Sequence, residues 1–204
     1  MEQVDHKALL AELQQHVDAD LLVKGRYWED GKGCAVGCTL HSYAKIIGKR
    51  SLPWDDHSIY DDIFGLGGQM LGQLEDKIFE GMTNGDAQAW PVRFTSSALA
   101  AIERGSTLER VGWQFLHWLL TNHAVNPGID HSLVSDAVKQ CADIIFSLTK
   151  GERIDASAAW SAARSAESAA SAAWSAASAA SAESAASAAY KHMSDKLVEL
   201  MDAA

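Results

Sequence analysis

The chain has 204 residues, of which 17 are lysine or arginine and 27 are aspartate or glutamate, and its formal net charge is −10 at pH 7. This acidic balance argues against direct nucleic-acid binding, for which a basic surface is expected. Three cysteines, an odd number, fit a reducing cytosol better than a disulfide framework. Residues 1–7 do not read as a signal peptide and nothing resembles a transmembrane segment, so we expect a cytoplasmic protein without a membrane role.

Nearly every segment before the alanine-rich tail places apolar side chains at helical spacing, which predicts an all-α fold. Residues 25–33 are predicted to form a loop, and residues 83–86 a turn. No segment alternates in the manner of a strand, although residues 21–24 could extend briefly. The first predicted helix ends near Asp20. Further helices are predicted over residues 34–47, 53–64 and 70–81, from the capping box Ser106–Glu109 to Asn126, and from Asp130 to about Leu148.

Residues 156–189 consist almost entirely of alanine and serine, with no glycine or proline among them. Because alanine is the best helix former, we expect one helix over about residues 155–201, roughly 70 Å long at ~1.5 Å per residue. The sequence therefore predicts a compact all-helical domain over residues 1–150 and a long Ala/Ser-rich helix over residues 151–204. The smooth surface of this Ala/Ser-rich helix favours self-association or binding of a protein partner. A solvent-exposed helix without a partner is the alternative.

Two glycines precede the second predicted helix, in the sequence Gly31-Lys32-Gly33-Cys34. Glycines here leave the backbone N–H groups at the positive end of the helix accessible, and Lys32 adds positive charge. Trp28, beside this loop, is placed to line a pocket wall. We therefore expect a small anionic ligand to bind at Trp28, Gly31, Lys32 and Gly33. The alternative is structural, since small residues also permit close packing of helices.

Cys34 is the best candidate for a nucleophile, because a thiol in the first turn of a helix should have a depressed pKa. His41 lies seven residues further on, about 10 Å along the same face, which is too far to deprotonate Cys34 directly. A catalytic base would then come from another helix, and His57 and His117 are available. This predicts, as the alternative to a binding protein, a small cysteine-dependent enzyme that uses Cys34, His41 and His57. No cofactor is predicted.

Two further groups of side chains have the chemistry of metal ligands. Cys38 and His41 supply only two ligands, and no CxxC partner exists elsewhere in the chain. Acidic residues crowd two neighbouring predicted helices, where a divalent cation could be bridged between them. Such clusters are more often solvated helix termini and faces, so no metal site is predicted. The residues concerned are Asp55, Asp56, His57, Asp61 and Asp62 in one helix, and Glu75, Asp76 and Glu80 in the next.

The sequence GCAVGCTLH at residues 33–41 is the most distinctive motif of the chain. Together with residues 74–81, residues 90–94 and the Ser-Ala-Ala tail, it resembles a group of uncharacterised bacterial and phage proteins. The resemblance implies a bacterial or phage origin and brings no activity with it, and a phage origin favours binding to a host factor. The leading prediction is an intracellular binding or interaction protein that acts on a host factor or a small anionic ligand.

Overall fold

A computed structural model describes residues 4–122, 132–152 and 183–204 of the chain. These residues are mostly helical, with a small two-stranded sheet, which confirms the all-α prediction. The predicted helix over about residues 155–201 falls mainly outside the described residues, but its last part is helical from Glu183. In chain order the elements are α1 (His6–Asp18), β1 (Trp28–Glu29), β2 (Lys32–Gly33), α2 (Ala35–Ile46), a 3₁₀ turn (His57–Ile59), α3 (Tyr60–Phe64), α4 (Gly68–Gly81), α5 (Asn84–Glu103), α6 (Leu108–Thr121), α7 (Ser132–Thr149) and α8 (Glu183–Ala203).

The described residues divide into two compact units. The first comprises residues 4–109 and 201–204, and the second comprises the described part of residues 110–200. Within the second unit α6 packs with α7 and α8: Leu120 joins a buried cluster with residues of α7, and the ring of Trp118 lies 5.1 Å from that of His192. Among the described helices, none is both long and apolar enough to cross a membrane.

The core of the first unit forms where α1 packs on α2 and α5, and α4 packs on α2, α3 and α5. Aromatic side chains fill its centre. Trp90 and Phe94 of α5 are almost completely buried, with ring centroids 5.6 Å apart, and Phe64 meets Phe94 edge to face. The indole N–H of Trp90 donates to the backbone oxygen of Glu75 at 3.2 Å, so this tryptophan also ties α5 to α4.

The predicted loop over residues 25–33 contains a β-hairpin. Trp28 pairs with Gly33, and Glu29 pairs with Lys32, in an antiparallel register. Asp30 and Gly31 turn the chain with φ values of 51° and 78°, as a two-residue hairpin turn of the Asp-Gly kind requires. Leu22 adds a parallel bridge to Gly33, in line with the brief extension predicted for residues 21–24. The expectation of a chain without strands was therefore wrong in this one segment, where the Asp-Gly pair is the local signal.

Helix α5 begins where a turn was predicted. Thr83 caps it: its hydroxyl accepts from the backbone N–H of Asp86 at 3.1 Å and donates to the Asp86 carboxylate at 2.8 Å. The helix continues for 20 residues through Pro91, which removes one backbone donor from its interior. Burial of Trp90 and Phe94 outweighs that cost, since a fully buried aromatic side chain contributes about 1.5–3 kcal/mol.

The predicted capping box of Ser106 and Glu109 does not form. The backbone N–H of Glu109 donates to the oxygen of Leu66 at 3.1 Å, and the Ser106 hydroxyl donates to the oxygen of Ala204. Nearby, the Arg104 guanidinium donates to the oxygen of Met201 at 2.6 Å. A cation at the last carbonyl groups of a helix is electrostatically favourable, so Arg104 holds the end of α8 in the first unit.

Candidate functional site

The start of α2 lies directly against the hairpin backbone. A Cβ atom added to Gly33 would lie 2.0 Å from the backbone oxygen of Tyr27, and one added to Gly37 would lie 1.4 Å from the same atom. Cys34, between them, is 1% exposed, and its backbone N–H donates to the oxygen of Arg26 at 2.8 Å. The glycines of the motif therefore allow two backbone segments to touch. This is the close packing that the sequence offered as the alternative to an anion site.

Five polar side chains meet beneath this contact, and we refer to them as the Asp76 cluster. The Cys34 thiol donates to Oδ1 of Asp76 at 3.5 Å, and the Tyr27 hydroxyl donates to Oδ2 at 3.3 Å. Nε2 of His57 lies 3.7 Å from Oδ2 of Asp76. Glu80, one turn further along α4, accepts from the backbone N–H of Gly25 through both carboxylate oxygens, at 3.0 and 3.1 Å. The members of the cluster are Tyr27, Cys34, His57, Asp76 and Glu80.

The electrostatics of this cluster reverse the expectation for Cys34. Burial raises the pKa of its thiol, and the carboxylates of Asp76 and Glu80 raise it further, against the opposing hydrogen bond from the N–H of Gly37. The predicted depression of the pKa was therefore wrong, because two acidic side chains and the loss of water outweigh one helix terminus. Burial and the charge of Asp76 also raise the pKa of Tyr27 to about 12.

His41 belongs to a different group of side chains, which we call the His41 cluster. Its Nδ1 lies 3.2 Å from Nε2 of His16, and its ring stacks on Trp28 with 3.9 Å between centroids and 14° between planes. The ring of Trp54 lies 6.0 Å away. Burial lowers the pKa of His41, and burial followed by the charge of His41 lowers the pKa of His16 to about 4. The cluster consists of His16, Trp28, His41 and Trp54.

The residues expected to hold an anion lie together in the hairpin, but their side chains and backbone groups are engaged in other contacts. Gly31 lies at the hairpin turn, and the Lys32 ammonium donates to the backbone oxygen of Asp20 at 3.3 Å. The backbone N–H of Gly33 donates to the oxygen of Leu21 at 3.0 Å. Trp28 stacks on His41. The N–H groups of Gly33 and Cys34 are thus already engaged in backbone hydrogen bonds.

The remaining predicted groups have structural partners. Asp56 caps the 3₁₀ turn by accepting from the N–H of Ser58 at 3.0 Å, and Asp61 accepts from the N–H of Gln69 at 2.9 Å. His117 lies in the second unit, where its ring is 5.2 Å from that of Phe146. Of the three proposed catalytic residues, Cys34 and His57 share a carboxylate neighbour, whereas His41 pairs elsewhere.

Sequence reasoning missed Tyr27 and His16 and noticed Asp76 only as one acid among several. Tyr27 carries no motif, and nothing in the spacing of His16 and His41 points to a pair. Comparison of the chain with protein-family models, with curated proteins and with solved structures found no match. The geometry of the two clusters is therefore the basis for a function.

Acid is expected to destabilise the protein through His16. Its pKa is about 4 in the folded protein and 6.5 in its unperturbed state, so the unfolded chain takes up the proton first as the pH falls. Stability should be lost between about pH 6.5 and about pH 4, because burial, followed by the charges of His41 and Lys45, opposes the new charge, whereas Glu12 favours it. His16→Phe should reduce this loss, as measured by urea midpoints at both pH values. An acid sensitivity unchanged in the variant would contradict the assignment.

Proposed function

We propose that this protein is a non-enzymatic binding protein whose ligand site is the Asp76 cluster. The proposal depends on one observation. The Asp76 carboxylate lies between the Cys34 thiol and the His57 imidazole and contacts both. A thiol and two carboxylates converge there on a partly solvent-accessible point, since Glu80 is exposed and Asp76 half-buried, and the His57 imidazole lies beside Asp76. Such convergence of polar groups is typical of a ligand site.

The same order of contacts disfavours the cysteine enzyme. In a nucleophilic triad the imidazole lies between the nucleophile and the carboxylate, so that it can take the proton and be oriented by the acid. Here a carboxylate touches the thiol, which stabilises the neutral form of Cys34. His41, the second candidate base, is hydrogen-bonded to His16. We therefore keep the enzyme as the alternative and place binding first.

The charge of the cluster bears on the ligand. Asp76 and Glu80 contribute carboxylates, and the nearby N–H groups of Gly33 and Cys34 are engaged, so the local potential favours a cation over the small anion expected from the sequence. A cytoplasmic location and association through residues 151–204 remain proposals from composition. Binding to a host factor likewise rests on the resemblance to bacterial and phage proteins.

Thiol labelling separates the two functions. In the native protein at neutral pH, iodoacetamide is expected to modify Cys34 at least about tenfold more slowly than in the urea-unfolded chain, because the buried thiol stays protonated. Cys141, a buried cysteine of the second unit, is the matched control. Mass spectrometry of tryptic peptides gives the rate at each site. Labelling of Cys34 much faster than Cys141 would contradict the proposal and favour the enzyme.

Binding itself is tested by the melting temperature in the presence of divalent cations, inorganic phosphate, a nucleotide and simple amines. At least one of these probes should raise the melting temperature of the native protein and fail to raise that of Asp76→Asn. Asp62→Asn, an exposed position on α3, serves as the control and should respond as the parent does. A shift that persists in Asp76→Asn would place the site elsewhere.

A further inference from the structure

The donor atoms of the Asp76 cluster are of the kinds that bind transition metals. One sulfur atom of Cys34 and one carboxylate oxygen each of Asp76 and Glu80 all lie within 4.8 Å of one another. Ligand atoms around a four-coordinate zinc ion with bonds of about 2.0–2.3 Å are roughly 3.3–3.8 Å apart. The thiol and the Asp76 carboxylate are already at 3.5 Å, and the Glu80 carboxylate, within 4.8 Å of both, would have to move closer to complete the three ligands.

His57 supplies an independent observation. Its side chain is 16% exposed, and its Nε2 atom is buried and has no hydrogen-bond partner. This atom lies 3.7 Å from Oδ2 of Asp76. A buried polar atom without a partner carries an uncompensated desolvation cost. Coordination of a cation beside Asp76 would satisfy this nitrogen, and imidazole is a common ligand of zinc.

The residues around the donors also resemble an outer coordination shell. The Tyr27 hydroxyl donates to Oδ2 of Asp76, and the N–H of Gly25 donates to the Glu80 carboxylate. Hydrogen bonds of this kind orient metal-binding carboxylates. The other oxygen of Asp76, Oδ1, accepts from the Cys34 thiol.

We propose that Cys34, Asp76 and Glu80 bind one zinc ion, and that the His57 imidazole, which lies beside Asp76 and outside this group of three, turns toward the ion as the fourth ligand. The mixture of sulfur, nitrogen and oxygen donors fits zinc, whereas calcium and magnesium prefer oxygen alone. On binding, a bond forms between the metal and the Cys34 sulfur, and the thiol proton leaves to solvent. Glu80 is exposed, so the ion can enter from its side. The inference rests on the proposed function, because it names the ligand of the same site.

The test uses the full chain, freed of metal with a chelator. Zinc is titrated in competition with a chromophoric chelator, and cobalt(II) is added separately as a spectroscopic probe. We expect one equivalent of either ion to bind, with a near-ultraviolet thiolate-to-cobalt band that reports the Cys34 sulfur. Cys34→Ser and Asp76→Asn should each weaken zinc binding at least about tenfold, and the cobalt band should vanish in Cys34→Ser.

Matched controls make the result specific. Cys141→Ser removes a buried cysteine of the second unit, and Asp62→Asn removes an exposed acid of α3; both should bind zinc as the parent does. Should Cys34→Ser fail to fold by circular dichroism, Glu80→Gln, at an exposed side chain, tests the same site with little risk to the fold. It too should weaken zinc binding.

Absence of the cobalt band, or equal zinc affinity in the parent, Asp76→Asn and Glu80→Gln, would overturn the zinc site. The proposed function fails separately. If zinc does not bind but another probe raises the melting temperature in an Asp76-dependent way, the ligand is wrong and the binding site stands. If no probe acts through Asp76, both are wrong.

Discussion

Gly37→Ala is expected to lower the free energy of unfolding by about 3 kcal/mol or more. A Cβ atom at this position would lie 1.4 Å from the backbone oxygen of Tyr27 and 2.2 Å from its carbonyl carbon. Those atoms belong to the chain entering the hairpin and cannot rotate away as a side chain would. The hairpin must therefore move off α2, which costs at least as much as the overpacking of a tight core. Urea denaturation of both proteins measures the difference.

Gly85→Ala is the matched control, because it adds the same methyl group to a helical glycine. The nearest atom to a Cβ there is the Thr83 hydroxyl oxygen at 4.0 Å, so the change should be neutral or stabilise the protein by up to about 1 kcal/mol. Gly33→Val, with 2.0 Å to the oxygen of Tyr27, should be destabilising like Gly37→Ala. Equal stability of Gly37→Ala and the parent would show that the hairpin does not rest on α2.

Glu75→Gln is expected to stabilise the protein at alkaline pH and to leave it nearly unchanged in mild acid. Glu75 is completely buried, it accepts from the Tyr60 hydroxyl, and its Oε1 atom has no partner. Burial, with a smaller contribution from the neighbouring Asp76 carboxylate and against the hydrogen bond from Tyr60, raises its pKa from 4.5 to about 8.

The sign of the pH dependence follows from these two pKa values. The folded protein holds the proton of Glu75 up to about pH 8, whereas the unfolded chain releases it near pH 4.5, so stability is lost as the pH rises between these values. The loss amounts to roughly 3–5 kcal/mol. Glutamine keeps an acceptor for Tyr60 and cannot ionise, so the variant should not lose this stability as the pH rises.

Urea midpoints at about pH 5 and about pH 8 measure this effect as the difference between variant and parent, which removes the contributions of other titrating groups. Glu103→Gln, at an exposed residue near the end of α5, is the control and should follow the parent at both pH values. Parallel pH profiles for Glu75→Gln and the parent would mean that Glu75 is already charged at pH 5.

Local signals account for much of the fold. Helical periodicity predicted α1, α2, α4, α6 and α7 close to their observed bounds, because one apolar stripe per helix is enough to define its buried face. The hairpin had its own signal in Asp30-Gly31, and α5 had one in Thr83 and Asp86. Both were overlooked, the first within a glycine-rich stretch and the second ahead of Pro91, a residue that usually argues against a helix interior.

The amino-acid sequence alone specifies the helical class and the glycine–cysteine motif at the start of α2, since both depend on neighbours within a few residues. It did not determine the chemistry of Cys34. The Asp76 carboxylate that contacts the thiol lies 42 residues further along the chain, and Tyr27 lies 49 residues from the same carboxylate. Only tertiary packing set those distances and removed the water. Because the protonation of a thiol depends on nearby charge and solvent, the folded structure decided that Cys34 faces acids rather than a base.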